Sequence, residues 1–370
     1  MNTKTTRRAL LGTAAAGAGA AWWFRPRRAD WSGPPPFLTP QAEFYDRFSA
    51  KAEDGLLKQL AMLRSRERQE VPTAPWKLTI EGRVRRTFVL DESILDAMTR
   101  DLPQVSYLKT LRCTGDQPGN RLSSTGLWTG IPLKRLLDHA GLLSDARRLR
   151  VFAQDGFTNN LRLAELGGTD RRPTLLATRL NGEPLLPERG HPARLIVPDR
   201  FGFKNLKWPE RIVVTPNDAA WGNHEVDTSG GRDDGLLSMS VKILSPDIRH
   251  RTPEAWGLAG RRRIEGIAQA GLVPVGVVEV RLNDGEWQRA ALTPPVELTS
   301  EPVASAPGLL GRGWPRVDVW TPWSIELDLP PGDHVVAARV LGQRGELQPE
   351  LDPLRIDGDS SWAKALLHMS

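Results

Sequence analysis

Cys113 is the only cysteine in this chain of 370 residues, and it is the residue whose chemistry most needs explaining. It lies at the head of a loop rich in glycine and polar residues, within the stretch LRCTGDQPGNRLSSTGLWTGIPLKRLL. A lone cysteine forms no internal disulfide. Its thiol is therefore a small core group, a nucleophile or a metal ligand.

The histidine and cysteine content limits these three possible roles of Cys113 but does not decide among them. A cysteine nucleophile needs an imidazole beside it, and the six histidines are scattered with no recognisable partner motif. Classical zinc sites need three or four protein ligands, which one cysteine does not supply. A single thiolate is sufficient where an organic cofactor provides the remaining sulfur ligands, as in a molybdenum–pterin enzyme.

The elements that position Cys113 follow from local patterns. VSYLKTLRC predicts a strand that ends on the cysteine, with the charge of Arg112 favouring the thiolate. A helix capped by Asp91 or Ser93 is expected over 91–100, and PLKRLLDHAGL predicts a short helix closed by Gly141. A hairpin is expected around Glu81-Gly82, and leucine spacing favours a helix from 41 to about 68. The first part of the chain is therefore predicted to be α+β.

Composition limits the class of protein. The chain is 39% hydrophobic and 25% charged, as in a soluble globular protein long enough for two domains. The net charge of +6 is carried mainly by dispersed arginines. No nucleic-acid-binding signature accompanies this charge, so nucleic acid is not expected as a partner.

The N-terminus predicts export. TKTTRRALLGTAAAGAGAAWWF has a basic start followed by a short apolar stretch, which is typical of a secretory signal. Arg7 and Arg8 match the twin-arginine form, and an ordinary Sec signal is the alternative. We expect a signal region over 1–25, a linker over 26–40 and a periplasmic mature protein. Membrane contact is expected only if the signal is not cleaved.

Several long motifs resemble the sulfite oxidase family of molybdopterin-dependent oxidoreductases. Cys113 and Gly115 followed by LWTGIPLKRLL form the first motif, and LNGEPLLPERGHPARLIVPDRFGFKNLKWPERIVV forms the second. FLTPQAEFYDRF and WTPWSIELDLPPGDHVVAARVLGQRGELQPE agree with the beginning and end of the family pattern. The resemblance implies a molybdopterin-binding catalytic domain over 41–235. It also implies an immunoglobulin-like β-sandwich over 236–370 that forms a homodimer, and the spaced short strands of this part favour such a sandwich.

The resemblance also implies the site residues. Cys113 would be the metal ligand, and Arg47, Trp128 and Arg355 would line the substrate pocket with it. One molybdenum–molybdopterin per chain would be the cofactor. The residues implied to hold it are Tyr45, Asp46, Arg47, Phe48, Ser49, Cys113, Asp155, Arg189, Arg194, Lys204, Asn205, Leu206 and Lys207.

The chain departs from the sulfite-oxidising pattern around the metal. Gln117 and Pro118 replace the arginines that follow the cysteine, and Asp116 replaces an asparagine. Asp116 would repel an anion if it faced the metal. The family's active-site tyrosine is missing, and Trp221 or His224 is the candidate to stand near its place.

These features predict oxygen-atom transfer to or from a small sulfur- or nitrogen-containing substrate. The chain has no CxxCH haem motif, so the electrons are expected to pass to a separate carrier such as a c-type cytochrome. One alternative is a reductase that acts on S- or N-oxides in the opposite direction. Another is a binding or scaffold protein that keeps the fold without turnover.

Overall fold

The computed structural model describes residues 37–44, 71–116, 122–219, 235–246, 254–311, 313–352 and 359–370. The signal region and most of the linker lie outside these residues. So do all but the first turn of the helix expected over 41–68, where Gln41–Glu43 forms a 3-10 helix. No helix in the described parts of the chain is long and apolar enough to cross a membrane.

In the first part of the chain, up to residue 219, the described residues contain two α-helices and ten strands that form two sheets. The helices are α1 (Glu92–Asp101) and α2 (Leu133–Ala140). One sheet has the order β2 (Phe88–Asp91), β1 (Lys77–Gly82), β10 (Pro209–Thr215), β5 (Arg148–Ala153) and β6 (Thr158–Arg162). The other has the order β3 (Val105–Arg112), β4 (Ser123–Pro132), β7 (Leu175–Leu180) and β8 (Glu183–Pro184), with β9 (Arg194–Ile196) paired to β7.

The local patterns of this part are confirmed. β1 and β2 form the expected antiparallel hairpin. α1 begins after Asp91, whose carboxylate accepts a hydrogen bond from the main-chain N–H of Ile94. This cap satisfies an N–H that has no partner inside the helix. Gly141 ends α2 with φ of 73°, a left-handed conformation that glycine adopts without steric cost.

The second part of the chain, from residue 235 onward, is a sandwich of two sheets. One sheet has the order β11 (Met239–Ser245), β13 (Gly260–Ala270), β17 (Thr321–Leu329) and β16 (Ala291–Leu292). The other has the order β12 (Glu254–Gly257), β19 (Ala363–Met369), β18 (Gly332–Gly342), β14 (Val275–Leu282) and β15 (Gln288–Arg289). Val241, Ile264 and Trp323 of the first sheet pack with Val278, Val336 and Leu367 of the second in one buried cluster. The expected two-layered β-structure is therefore present, while its immunoglobulin-like assignment stays a prediction.

The two parts meet along the outer edge of β3. β3 is the terminal strand of its sheet, and the main chain of Gly308, Leu310 and Asp318 contacts the side that β4 leaves open. Ser106 donates its N–H to Gly308 O (3.4 Å), Leu310 donates to Ser106 O (2.9 Å), and Thr110 donates to Asp318 O (2.8 Å). An edge strand covered in this way is withdrawn from pairing with other chains. The strand that leads to Cys113 is thus held by both parts of the molecule.

Candidate cofactor and active site

Cys113 follows β3 directly, as the sequence predicts, and opens a tight turn. Its N–H donates to Leu122 O (3.0 Å), and its own carbonyl accepts from the N–H of Asp116 (3.1 Å). The N–H of Gly115 points at the Cys113 Sγ atom at 3.4 Å. The side chain is partly exposed. The thiol therefore lies at the surface of a constrained turn, oriented by its own main chain.

Asp116 does not present an unpaired charge near Cys113. Its Oδ2 atom lies 2.6 Å from Lys242 Nζ in an ion pair whose two side chains are almost completely buried. Its Oδ1 atom accepts a hydrogen bond from the N–H of Leu122 (2.9 Å). The sequence raised the prospect that this carboxylate repels an anionic substrate. The structure shows that Lys242, from the second part of the chain, balances its charge.

Arg112 is buried completely and reaches away from the surface of the turn. Its guanidinium donates to Ser238 Oγ (2.6 Å) and Gln269 Oε1 (3.1 Å) and lies 4.8 Å from the ring centroid of Phe201. Burial lowers the pKa of Arg112 to about 10, which is opposed by the charge of Asp116. Arg112 therefore joins β3 to the second part of the chain, a contact that the sequence did not indicate.

The predicted cofactor residues of the 189–207 segment converge, and most are buried. Main-chain pairing brings them together, because Leu195 N–H donates to Leu206 O (2.8 Å) and Arg194 bridges to Lys207. The segment contributes four cationic side chains, each at most 8% exposed: Arg189, Arg194, Lys204 and Lys207.

The contacts of these cations include main-chain carbonyl oxygens. Arg194 Nε donates to Asn205 O (3.0 Å), Lys204 Nζ to Asn160 O (2.9 Å) and Lys207 Nζ to Glu188 O (3.0 Å). Arg189 Nε donates to Gln41 O (2.7 Å). A carbonyl oxygen orients a cation without cancelling its charge. The segment is therefore a concentrated source of positive potential and N–H donors.

Asn205 and Leu206 take structural roles within this segment. The Asn205 amide accepts from Val197 N–H (2.8 Å) and donates to Phe201 O (2.8 Å), which fixes the loop between them. The Leu206 side chain belongs to the hydrophobic core of the first part. Asp155 lies at a turn beside them, because Gln154 N–H donates to Trp208 O (3.0 Å).

Trp128 lies beneath the cationic segment. The Arg194 guanidinium is 5.6 Å from its ring centroid, and Phe44 packs against it edge to face at 5.5 Å. The side chain is fully buried, and its Nε1–H has no hydrogen-bond partner among the residues that the structure describes. A buried indole N–H normally finds an acceptor. Trp128 thus has an indole N–H without an acceptor among the described residues, and its ring contacts the buried side chain of Arg194.

The remaining predicted site residues lie outside the described part of the chain. These are Tyr45, Asp46, Arg47, Phe48, Ser49 and Arg355, together with Gln117, Pro118, Trp221 and His224. Phe44, the described residue that directly precedes the first group, packs against Trp128.

Comparison with known proteins agrees with this architecture. Residues 67–221 match the family model described as "Oxidoreductase molybdopterin binding domain". Inducible nitrate reductase (NADH) 1 of Glycine max is 25% identical over 324 residues, which cover 74% of this chain and 35% of that protein. Nitrate reductase (NADPH) of Neurospora crassa is 26% identical over 395 residues, which cover 90% of this chain and 39% of that protein. The chain therefore spans little more than a third of the length of these relatives.

The fold is also found in a solved structure. The sulfane dehydrogenase SoxCD from Paracoccus pantotrophus superposes with a TM-score of 0.60 at 18% sequence identity, covering 94% of this chain and 89% of that one. Residues 67–221 therefore form an oxidoreductase molybdopterin-binding domain, in agreement with the resemblance to the sulfite oxidase family, and molybdopterin is the cofactor that such a domain binds.

The described residues fit that cofactor. Molybdopterin carries a phosphate and a heterocycle with hydrogen-bonding edges, and the 189–207 segment offers four buried cations with N–H donors. The unpaired Nε1–H of Trp128, within the described residues, is a further donor at the same place. Cys113 supplies a partly exposed sulfur, the ligand type suited to such a metal.

Proposed function

We propose that the protein transfers an oxygen atom to or from a small sulfur- or nitrogen-containing substrate, with Cys113 as the protein ligand to molybdenum. The observation that carries this proposal is the position of Cys113. It is the sole thiol of the chain, partly exposed, at the end of a strand inside a molybdopterin-binding domain. When bound, the molybdenum–pterin supplies two-electron oxygen-atom exchange between water and a substrate lone pair.

The chain's own groups bind the cofactor and orient the thiol. Arg194 and Lys207 would donate charge-assisted hydrogen bonds to the pterin phosphate, since both side chains lie in the cationic segment and carry fixed positive charge. The N–H of Gly115 and the closed turn at Cys113 hold the sulfur in one direction. Tyr45–Ser49, Arg47 and Arg355 complete the proposed pocket from outside the described residues.

The substrate is proposed to carry less negative charge than sulfite. Gln117 and Pro118 stand where sulfite-oxidising members have arginines, which removes at least one charge-assisted contact to a dianion. Each such contact contributes roughly 1.5–3 kcal/mol, or about 10- to 150-fold in affinity. The pairing of Asp116 with Lys242 removes the carboxylate as a second source of repulsion. The missing arginines therefore carry this argument.

Reduction of an S- or N-oxide is the second candidate. The relatives named as nitrate reductases favour it, because their names specify removal of oxygen from a nitrogen compound with NADH or NADPH as donor. The sulfane dehydrogenase of similar fold favours the oxidative direction on sulfur instead.

Export, electron transfer and assembly belong to the same proposal. Arg7 and Arg8 support export of the folded protein to the periplasm by the twin-arginine route. A separate carrier such as a c-type cytochrome would exchange the electrons, and the second part of the chain would form an immunoglobulin-like homodimer interface.

Elemental analysis combined with steady-state kinetics tests the central assignment. The purified protein should contain about one molybdenum per chain, and Cys113→Ala should lose both the metal and the activity. Assays with a cytochrome c or dye couple should compare sulfite with sulfoxides, N-oxides, nitrate and organic sulfur compounds. Unchanged molybdenum and activity in Cys113→Ala would refute the ligand assignment, and rapid turnover of micromolar sulfite would refute the substrate argument.

A further inference from the structure

The turn that presents Cys113 is closed by one carboxylate. Asp116 donates its N–H to Cys113 O (3.1 Å) and accepts from Leu122 N–H (2.9 Å) through Oδ1. Cys113 N–H in turn donates to Leu122 O (3.0 Å). The Asp116 side chain therefore ties together the two ends of the turn that presents the thiol. A change in the Asp116 rotamer would break the hydrogen bond from Leu122 N–H, one of the three that fix the main chain around Cys113.

The second oxygen of the same carboxylate is held from the other part of the molecule. Lys242 Nζ contacts Asp116 Oδ2 at 2.6 Å and lies 5.2 Å from the ring centroid of Trp320. Its main chain is fixed in the middle of β11, where it pairs with Ile267 of β13. Lys242 and Asp116 are both about 1% exposed, so neither charge has water to replace a lost partner.

We propose that Lys242 is a positioning residue for Cys113: by fixing the Asp116 carboxylate, it sets the direction in which the thiolate meets the metal. This inference rests on the proposed ligand role of Cys113. In this proposal Lys242 acts on the thiol indirectly, through its ion pair with Asp116. The second part of the chain thus contributes to the geometry of the metal ligand.

The competing explanation is that the pair only holds the two parts of the chain together. The structure offers a matched control for that role in Lys109 and Asp318. This pair is also a buried Lys–Asp contact of 2.6 Å between the same two parts, with both side chains inaccessible to solvent. Among the described residues, the Asp318 carboxylate bonds to Lys109, Arg172 and the N–H of Asp199, and to none of residues 113–116. Asp318→Asn therefore perturbs the interface in a similar way without acting on residue 116.

The test uses the cofactor-loaded protein and three variants. Lys242→Met removes the cation and keeps most of the side-chain volume. Asp116→Asn combined with Lys242→Met removes both charges but keeps an oxygen that accepts from Leu122. Asp318→Asn is the matched control. The readouts are Tm, molybdenum content, and the electron paramagnetic resonance signal of the protein after one-electron reduction, because that signal depends on how the cysteine sulfur is oriented at the metal.

We expect Lys242→Met to lower Tm on the order of 10 °C, to lower the molybdenum content and to shift the g values of the signal. The double variant should restore the parental signal. Asp318→Asn should lower Tm but leave the g values of the signal unchanged. An unshifted signal in Lys242→Met, an equal shift in Asp318→Asn, or a double variant as altered as the single one would overturn the proposal. A parental signal that persists in Cys113→Ala would instead refute the ligand role on which it rests.

Discussion

Asp318→Asn is the substitution for which the structure predicts the largest loss of stability at the contact between the two parts of the chain. The Asp318 Oδ2 atom accepts from Lys109 Nζ (2.6 Å) and from Asp199 N–H (2.8 Å) and lies 3.5 Å from the Arg172 guanidinium. Lys109 and Asp318 are completely buried. Asparagine keeps an acceptor for Asp199 but leaves the Lys109 ammonium with no opposite charge on residue 318.

The expected cost follows from that burial. Removing one partner of a buried ion pair typically costs about 3–5 kcal/mol, because the remaining charge stays out of water without compensation. We therefore expect the free energy of unfolding to fall by about this amount at pH 7. Replacing both residues, with Lys109→Met and Asp318→Asn together, should recover much of the loss, because the unpaired Lys109 ammonium is removed and an acceptor for Asp199 N–H is kept.

The loss should also shrink as the pH rises. Burial lowers the pKa of Lys109 in the folded protein, and the charge of Asp318 opposes that shift. Without this charge the pKa of Lys109 falls further. Above its folded pKa, the folded state of the variant has released a proton that the unfolded state still binds, so its stability rises with pH. The difference between parent and variant should therefore be smaller near the ordinary lysine pKa of 10.5 than at pH 7.

Denaturant unfolding followed by tryptophan fluorescence at neutral and alkaline pH measures both effects. Glu350→Gln is the matched control, because Lys364 and Glu350 form a Lys–carboxylate pair of 2.7 Å with both side chains about half exposed. That control should change stability far less than Asp318→Asn, because water and salt screen an exposed ion pair. If Asp318→Asn loses no more than the control, or if its loss grows with pH, the reasoning about the buried charge is wrong.

Three further predictions concern the cofactor, export and assembly. Arg194→Met should bind molybdopterin about 10- to 150-fold more weakly, from the loss of one charge-assisted hydrogen bond; titration of cofactor-free protein measures this, with the exposed Lys134→Met as control. Arg7→Lys with Arg8→Lys should leave folded protein in the cytoplasm, and cell fractionation that finds the metal-loaded variant in the periplasm would contradict the twin-arginine assignment. Light scattering should show a homodimer through 236–370, and a monomer at micromolar concentration would contradict it.

Local structure was largely predictable because its causes lie close together in the sequence. Asp91 as a helix cap, Gly141 as a helix terminator and the β1–β2 hairpin each depend on a few neighbouring residues. The placement of Cys113 at the end of β3 also followed from a local run of strand-forming residues. The convergence of the cationic segment came instead from the family resemblance, since Lys204 and Lys207 alone would read as a basic strand edge.

The contacts between the two parts were not predictable from the same patterns. Asp116 and Lys242 are 126 positions apart, and Lys109 and Asp318 are 209 apart. Hydrophobic periodicity indicates which face of a helix or strand is buried. It does not indicate which charged side chains, far apart in the sequence, pair with each other. Arg112 shows the consequence. The sequence placed its charge beside the thiol, and Cys113 does interact electrostatically with Arg112, but the sequence did not indicate that the guanidinium bonds to Ser238 and Gln269.

These contacts give the second part of the chain a physical role in the site beyond any assembly that it forms. β3 carries Cys113 and is the edge strand of its sheet, so its outer N–H and C=O groups need partners that the first part does not provide. The main chain of Gly308, Leu310 and Asp318 supplies three such partners. Two buried charges of the first part, Lys109 and Asp116, have their opposite charges in the second part, on Asp318 and Lys242. The direction of the thiol is therefore proposed to depend on both parts together, because a change at Lys242 reaches the proposed metal ligand through Asp116.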